Sequence, residues 1–94
     1  ADVLRRAHTR LQEAGWCTGR LRDEQGAVCL IGAIRATATS RGQADDACAL
    51  LLAVIQAEFT SAQTVPSWND QQRDPQTVLR VLDQAANTAA ARGI

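Results

Sequence analysis

From Asp2 to Ala14 the apolar residues Val3, Leu4, Ala7, Leu11 and Ala14 recur between Arg5, Arg6, Arg10 and Glu13, and Gly15 follows. Spacings of three and four collect the apolar positions on one side of a helix, and a glycine just beyond them is a stop signal. The next stretch, Trp16 to Gly26, is polar and irregular. Short extended pieces at Arg20 to Arg22 and Ala27 to Val28 would fit a small β-hairpin there.

Cys29 to Thr39 reads CLIGAIRATAT, which is apolar enough for a second, buried helix. Gly32 in its interior weakens the helix unless another helix must approach closely at that point, and such close packing is expected there. Ser40-Arg41-Gly42 breaks the pattern, and Asp45 and Asp46 suit the first turn of a third helix, where the helix dipole favours negative charge. Its run from Ala47 to Ile55 is apolar on every side, so this helix is expected to pass through the middle of the bundle.

After Phe59 comes TSAQTVPSWNDQQRD, a connection in which Pro66 and Asn69-Asp70 resist regular structure and Ser67 caps at most one short turn. Asp74-Pro75 then supplies an N-cap followed by proline at the first helical position. In the last helix Val78, Leu79, Leu82, Ala85, Ala86 and Ala89 form one face, and Arg80, Asp83, Gln84 and Asn87 the other. The expected fold is all-α, a compact bundle of about four helices forming a single domain over residues 1–94. The hairpin between the first two helices is the only β structure the pattern admits.

Composition changes this picture mainly by exclusion. With 94 residues there is room for one core. Ten Arg against ten Asp and Glu give zero formal net charge, which disfavours nucleic acid and acidic membranes as partners. A helical DNA-binding regulator therefore rests only on the helix count and on Arg5, Arg6 and Arg10. The longest apolar run is too short to span a membrane. The chain opens on Ala1 and contains no Met, which leaves a longer parent chain open.

Cys17, Cys29 and Cys48 match no zinc or redox spacing, so no metal or cofactor is expected and reduced thiols in a cytoplasmic setting are the simpler reading. A Cys17–Cys29 disulfide across the hairpin is the oxidising alternative. No phosphate loop, nucleophile elbow or dinucleotide fingerprint is present.

The residues outside the plain helical pattern are Trp16, Cys29, Trp68, Asn69, Asp70 and Arg73, and these are the candidate binding residues. Trp16 and Trp68 lie in connections, where tryptophan either plugs the end of a core or lines a binding surface; a bundle with three aromatics favours the plug. Asn69 and Asp70 suit a ligand, but such side chains more often bond nearby backbone. Arg73 suits an anion, although a local ion pair with Asp70 and Asp74 is simpler. Cys29, at a helix start, is a nucleophile candidate with His8 as its natural base; the plainer reading is a buried, inert thiol.

The order Gly15-Trp16, Cys29 with Gly32-Ala33-Ile34, Trp68-Asn69-Asp70, then Val78-Leu79 before an alanine-rich helix resembles a small uncharacterised domain family of actinobacteria and their phages. The resemblance spans most of the chain, and its most specific element is the Trp68-Asn69-Asp70 triplet. It implies a cytoplasmic bacterial or phage setting and supplies no reaction, ligand or site residue. The expected function is a non-catalytic binding or protein-interaction module, with a second copy of the chain or another protein as partner. The rival from another class is a small thiol-dependent enzyme or redox protein built on Cys29.

Overall fold

A computed structural model of the chain describes residues 3–92. Five helices follow one another: α1 (Val3–Ala14), α2 (Leu30–Thr37), α3 (Arg41–Glu58), α4 (Val65–Gln71) and α5 (Pro75–Ala91). Gly15, at φ +90°, ends α1 in the left-handed conformation and returns its N–H to Leu11 O at 2.9 Å. Asp74 caps α5 by accepting from Gln76 N, and Pro75 opens the helix as the sequence predicts.

The all-helical expectation holds, with four corrections. No strand forms among the described residues, so the hairpin is absent. In its place Val28 makes two isolated bridges, one parallel with Trp16 and one antiparallel with Arg22. Pairing cannot extend because α2 begins at Leu30, two residues on.

Ser40-Arg41-Gly42 is a helix start rather than a break. The Ser40 hydroxyl accepts from Gln43 N at 3.1 Å, which moves Asp45 and Asp46 beyond the first turn of α3. Nor does α3 run through the middle. It buries only Ala44, Ala47, Leu51 and Ile55, and the rest of its apolar run lies half-buried or exposed.

The connection after Phe59 contains the additional helix α4. Thr64, three residues before the expected cap, takes the Ser67 N–H at 3.1 Å, and Pro66 falls in the first turn, where its missing N–H costs nothing. Consequently Trp68 sits on a helical face.

In the packing, α1 lies against α2 and α5, α3 lies against α5 and α2, and α4 closes the end formed by α2 and α3. One continuous core runs through all five helices, filled by Leu4, Leu11, Leu30, Ile34, Leu51, Ile55, Val78 and Leu82 with Trp68. Surface ion pairs bind the outer faces, Arg5 to Asp83 and Arg80 in a two-pronged contact with Glu58 among them. The guanidinium hydrogen bonds hold both carboxyls below their ordinary range. Among the described residues, no helix is long and apolar enough to cross a membrane.

Candidate functional site

The connection between α1 and α2 crosses over the end of the core and is fastened there by α4. Asn69 is the fastener. Among the described residues it is the one buried polar residue, at 0% exposure. Its Oδ1 accepts from the Trp16 indole N–H at 2.8 Å and from the Leu30 N–H at 3.1 Å. Its Nδ2 donates to Cys17 O at 3.1 Å and to Asp70 Oδ1 at 3.2 Å.

The Cys17 carbonyl and the Leu30 N–H are the groups that would form the next rung of a parallel ladder beyond the Trp16–Val28 bridge. The Asn69 carboxamide enters between them and satisfies both. Asp70 then accepts from Gly19 N at 2.8 Å, so two consecutive side chains of α4 hold the connection over four residues.

Trp68 points the other way, into the core, at 2% exposure, with its ring 5.2 Å from that of Phe59 and tilted by 60°. Its indole N–H is buried without a partner. Replacement by phenylalanine therefore removes volume but no hydrogen bond, and the expected loss is the cavity cost alone, about 1–2 kcal/mol. Trp16→Phe, which strips Asn69 of a donor, is expected to cost more despite the greater exposure of Trp16. Chemical denaturation of the two variants gives the order directly.

The sequence-predicted residues thus divide. Trp16, Asn69 and Asp70 form one hydrogen-bonded cluster, while Trp68 is adjacent but faces the core. Cys29, 5% exposed, is the N-cap of α2, its sulfur accepting from Gly32 N at 3.3 Å. Arg73 is exposed and takes part in neither ion pair found among the described residues: Asp70 is held by Gly19 and Asn69, and Asp74 caps α5. The expected local pair is not formed.

His8 stands on α1 near Asp83, whose lowered carboxyl it supports after the Arg5 hydrogen bond and charge. It therefore serves a different surface from Cys29. Burial pushes the Cys17 thiol up, with Asp23 and Cys29 adding to the rise, and burial does the same to Cys48. Neither is disposed to ionise as a ready nucleophile.

Three open clefts of about 420, 430 and 460 Å³ lie elsewhere on the molecule. The first lies at the α2–α3 junction between Arg35 and Arg41, the second between α1, α3 and α5, and the third between α3 and α5. Leu50 lines the second and Val54 the third, both within the Ala47 to Ile55 run expected at the middle of the bundle, and Ala57 lines the third as well. Among the described residues, no group of three or more His, Cys, Asp or Glu is placed to hold a metal ion.

A family model matches residues 1–88, nearly the whole chain. The chain belongs to DUF6197, a family of unknown function. No curated protein and no solved structure matches it. Membership accords with the expected resemblance to an uncharacterised domain family and assigns no reaction.

Proposed function

We propose that this DUF6197 domain is a non-catalytic protein-interaction module that docks a second copy of itself through the outer face of α3. The observation that carries the reading is the mismatch between the composition of α3 and its burial. From Ala47 to Ala57 the helix holds no charged residue, yet only Ala47, Leu51 and Ile55 of that stretch are buried. Leu50, Leu52 and Val54 are half-covered, and Ala49, Ala53 and Ala57 are exposed.

A helix face left to water normally carries charge, and an apolar strip without it is the usual mark of a contact surface. A second copy fits because the strip is its own complement across a two-fold axis. The small side chains at Ala49, Ala53 and Ala57 allow close approach of the two helices.

The Trp16–Asn69–Asp70 cluster has a different role in this account. Its polar groups are largely spent on one another and on backbone, which supports reading it as the clip that holds the connection in shape.

Sedimentation of the wild-type chain over a rising concentration series is expected to show a monomer passing to a dimer in the micromolar range. Ala53→Glu, at an exposed position, should remain monomeric and change stability by no more than about 0.5 kcal/mol. A wild-type chain that stays monomeric throughout, or an Ala53→Glu chain that still dimerises, would overturn the proposal.

A further inference from the structure

The three thiols are unpaired, and two of them stand in register. Trp16 and Val28 form a parallel bridge in which Val28 N donates to Gly15 O at 2.9 Å and Cys17 N donates to Val28 O at 3.0 Å. One residue further along both segments, Cys17 faces Cys29.

Paired residues in a parallel ladder project to the same side, and their segments lie about 4.8 Å apart. That spacing falls within the roughly 4.4–6.8 Å between Cα atoms that disulfides span. The Cys17 thiol donates to Ala27 O at 3.3 Å, which places it over the segment that leads into Cys29. Charge on Cys29 also contributes to raising the Cys17 thiol, so the two sulfurs lie within electrostatic reach.

We infer that Cys17 and Cys29 are a disulfide-forming pair, a modification site that staples the α1–α2 connection to the start of α2. The oxidant class is a low-molecular-weight disulfide such as oxidised glutathione. Half-buried Cys17 is the accessible partner. Its thiolate attacks one sulfur of the small disulfide and expels the other as a thiolate, which takes up a proton.

Cys29, too buried to meet the oxidant itself, then attacks the Cys17 sulfur from within the fold. That step forms the Cys17–Cys29 bond and releases the second small thiol. Two electrons pass from the cysteine pair to the small disulfide, and two small thiols result. The bonded Cys29 sulfur keeps acceptor lone pairs, so the Gly32 N–H retains its cap.

Because the raised Cys17 thiol is mostly protonated at neutral pH, formation is slow, as befits a staple rather than a rapid sensor. Cys48 provides the internal control. It too lies within electrostatic reach of Cys29, but on α3 and outside the ladder register.

The test incubates the reduced full-length chain with oxidised glutathione, alkylates the remaining thiols and maps tryptic peptides. The expected product has lost two hydrogens, with peptide 11–20 joined to 23–35 and peptide 42–73 alkylated at Cys48. Its Tm should exceed that of the reduced chain by roughly 10 °C, because the bond removes loop-closure entropy from the unfolded chain. Cys17→Ser should leave Cys29 unmodified under the same treatment. A linkage to 42–73, glutathione retained singly on Cys17, or complete alkylation of all three thiols would each overturn the inference.

Discussion

Asn69→Ala is expected to lower the stability of the folded chain by about 3–4 kcal/mol, a large share of the roughly 5–15 kcal/mol available to a domain of this kind. The substitution removes one carboxamide and strands three groups that face no other partner in the connection: the Leu30 N–H, the Cys17 carbonyl and the Trp16 indole N–H. Each of these, left unpaired away from water, costs about 1–3 kcal/mol, partly recovered if solvent enters the opened cluster.

Asn69→Asp sharpens the prediction. A carboxylate there accepts from Trp16 and Leu30 but cannot donate to Cys17 O, and it meets Asp70 Oδ1 as a like charge. Burial and that neighbour raise the folded pKa of the introduced group above its unfolded value. Its protonated form, which can donate, is thus favoured by folding. The stability of this variant should accordingly rise as pH falls below neutrality and decline as pH climbs through the raised pKa. Urea denaturation at a series of pH values reads both effects, and a pH-independent variant within about 1 kcal/mol of wild type would refute the clip.

The second large effect belongs to Gly32→Ala. On helix propensity alone this change, inside α2, should stabilise by about 1 kcal/mol. The packing predicts the opposite sign. A Cβ at Gly32 would lie 2.2 Å from Leu21 O and 3.1 Å from Leu21 C, and these are backbone atoms that cannot rotate aside. Leu21 O is held in place because it accepts the Cys29 N–H at 3.2 Å, so withdrawing the connection breaks a bond that helps seat the start of α2. A loss of about 3 kcal/mol or more is expected. A thermal melt that rises on substitution would show that the connection does not lie on α2.

Both predictions concern contacts that local pattern recorded only in part. The glycine inside an apolar helix announces a close approach, but the approaching group is a loop carbonyl, whereas an apolar helix invites the expectation of another helix. Helices α1 and α5 are legible because a one-sided apolar face coincides with a terminal signal, Gly15 in one case and Asp74-Pro75 in the other. Helix α4 is not, because it has seven residues, carries Pro66, Asn69 and Asp70, and depends on a threonine cap that resembles ordinary loop sequence.

The bonds of Asn69 to the α1–α2 connection and α2 span 39 to 53 positions of chain, and such partners leave no trace in the spacing around it. The Trp-Asn-Asp triplet was therefore recognisable as unusual without revealing that its three side chains divide between the core, the clip and a backbone N–H of the connection. Helix α3 misleads for a related reason. An apolar run states that a surface must be covered; it does not say whether the cover comes from the same chain or from another.

The most direct test of the account follows the amide and indole resonances of an isotopically labelled chain by NMR as its concentration is raised. Shifts and broadening are expected along Ala49, Leu50, Ala53 and Ala57, with the Trp16 indole and the Gly19 amide unmoved. Movement of Trp16, Gly19 and Asp70 with α3 unchanged would contradict it, placing the contact surface on the connection and its clip.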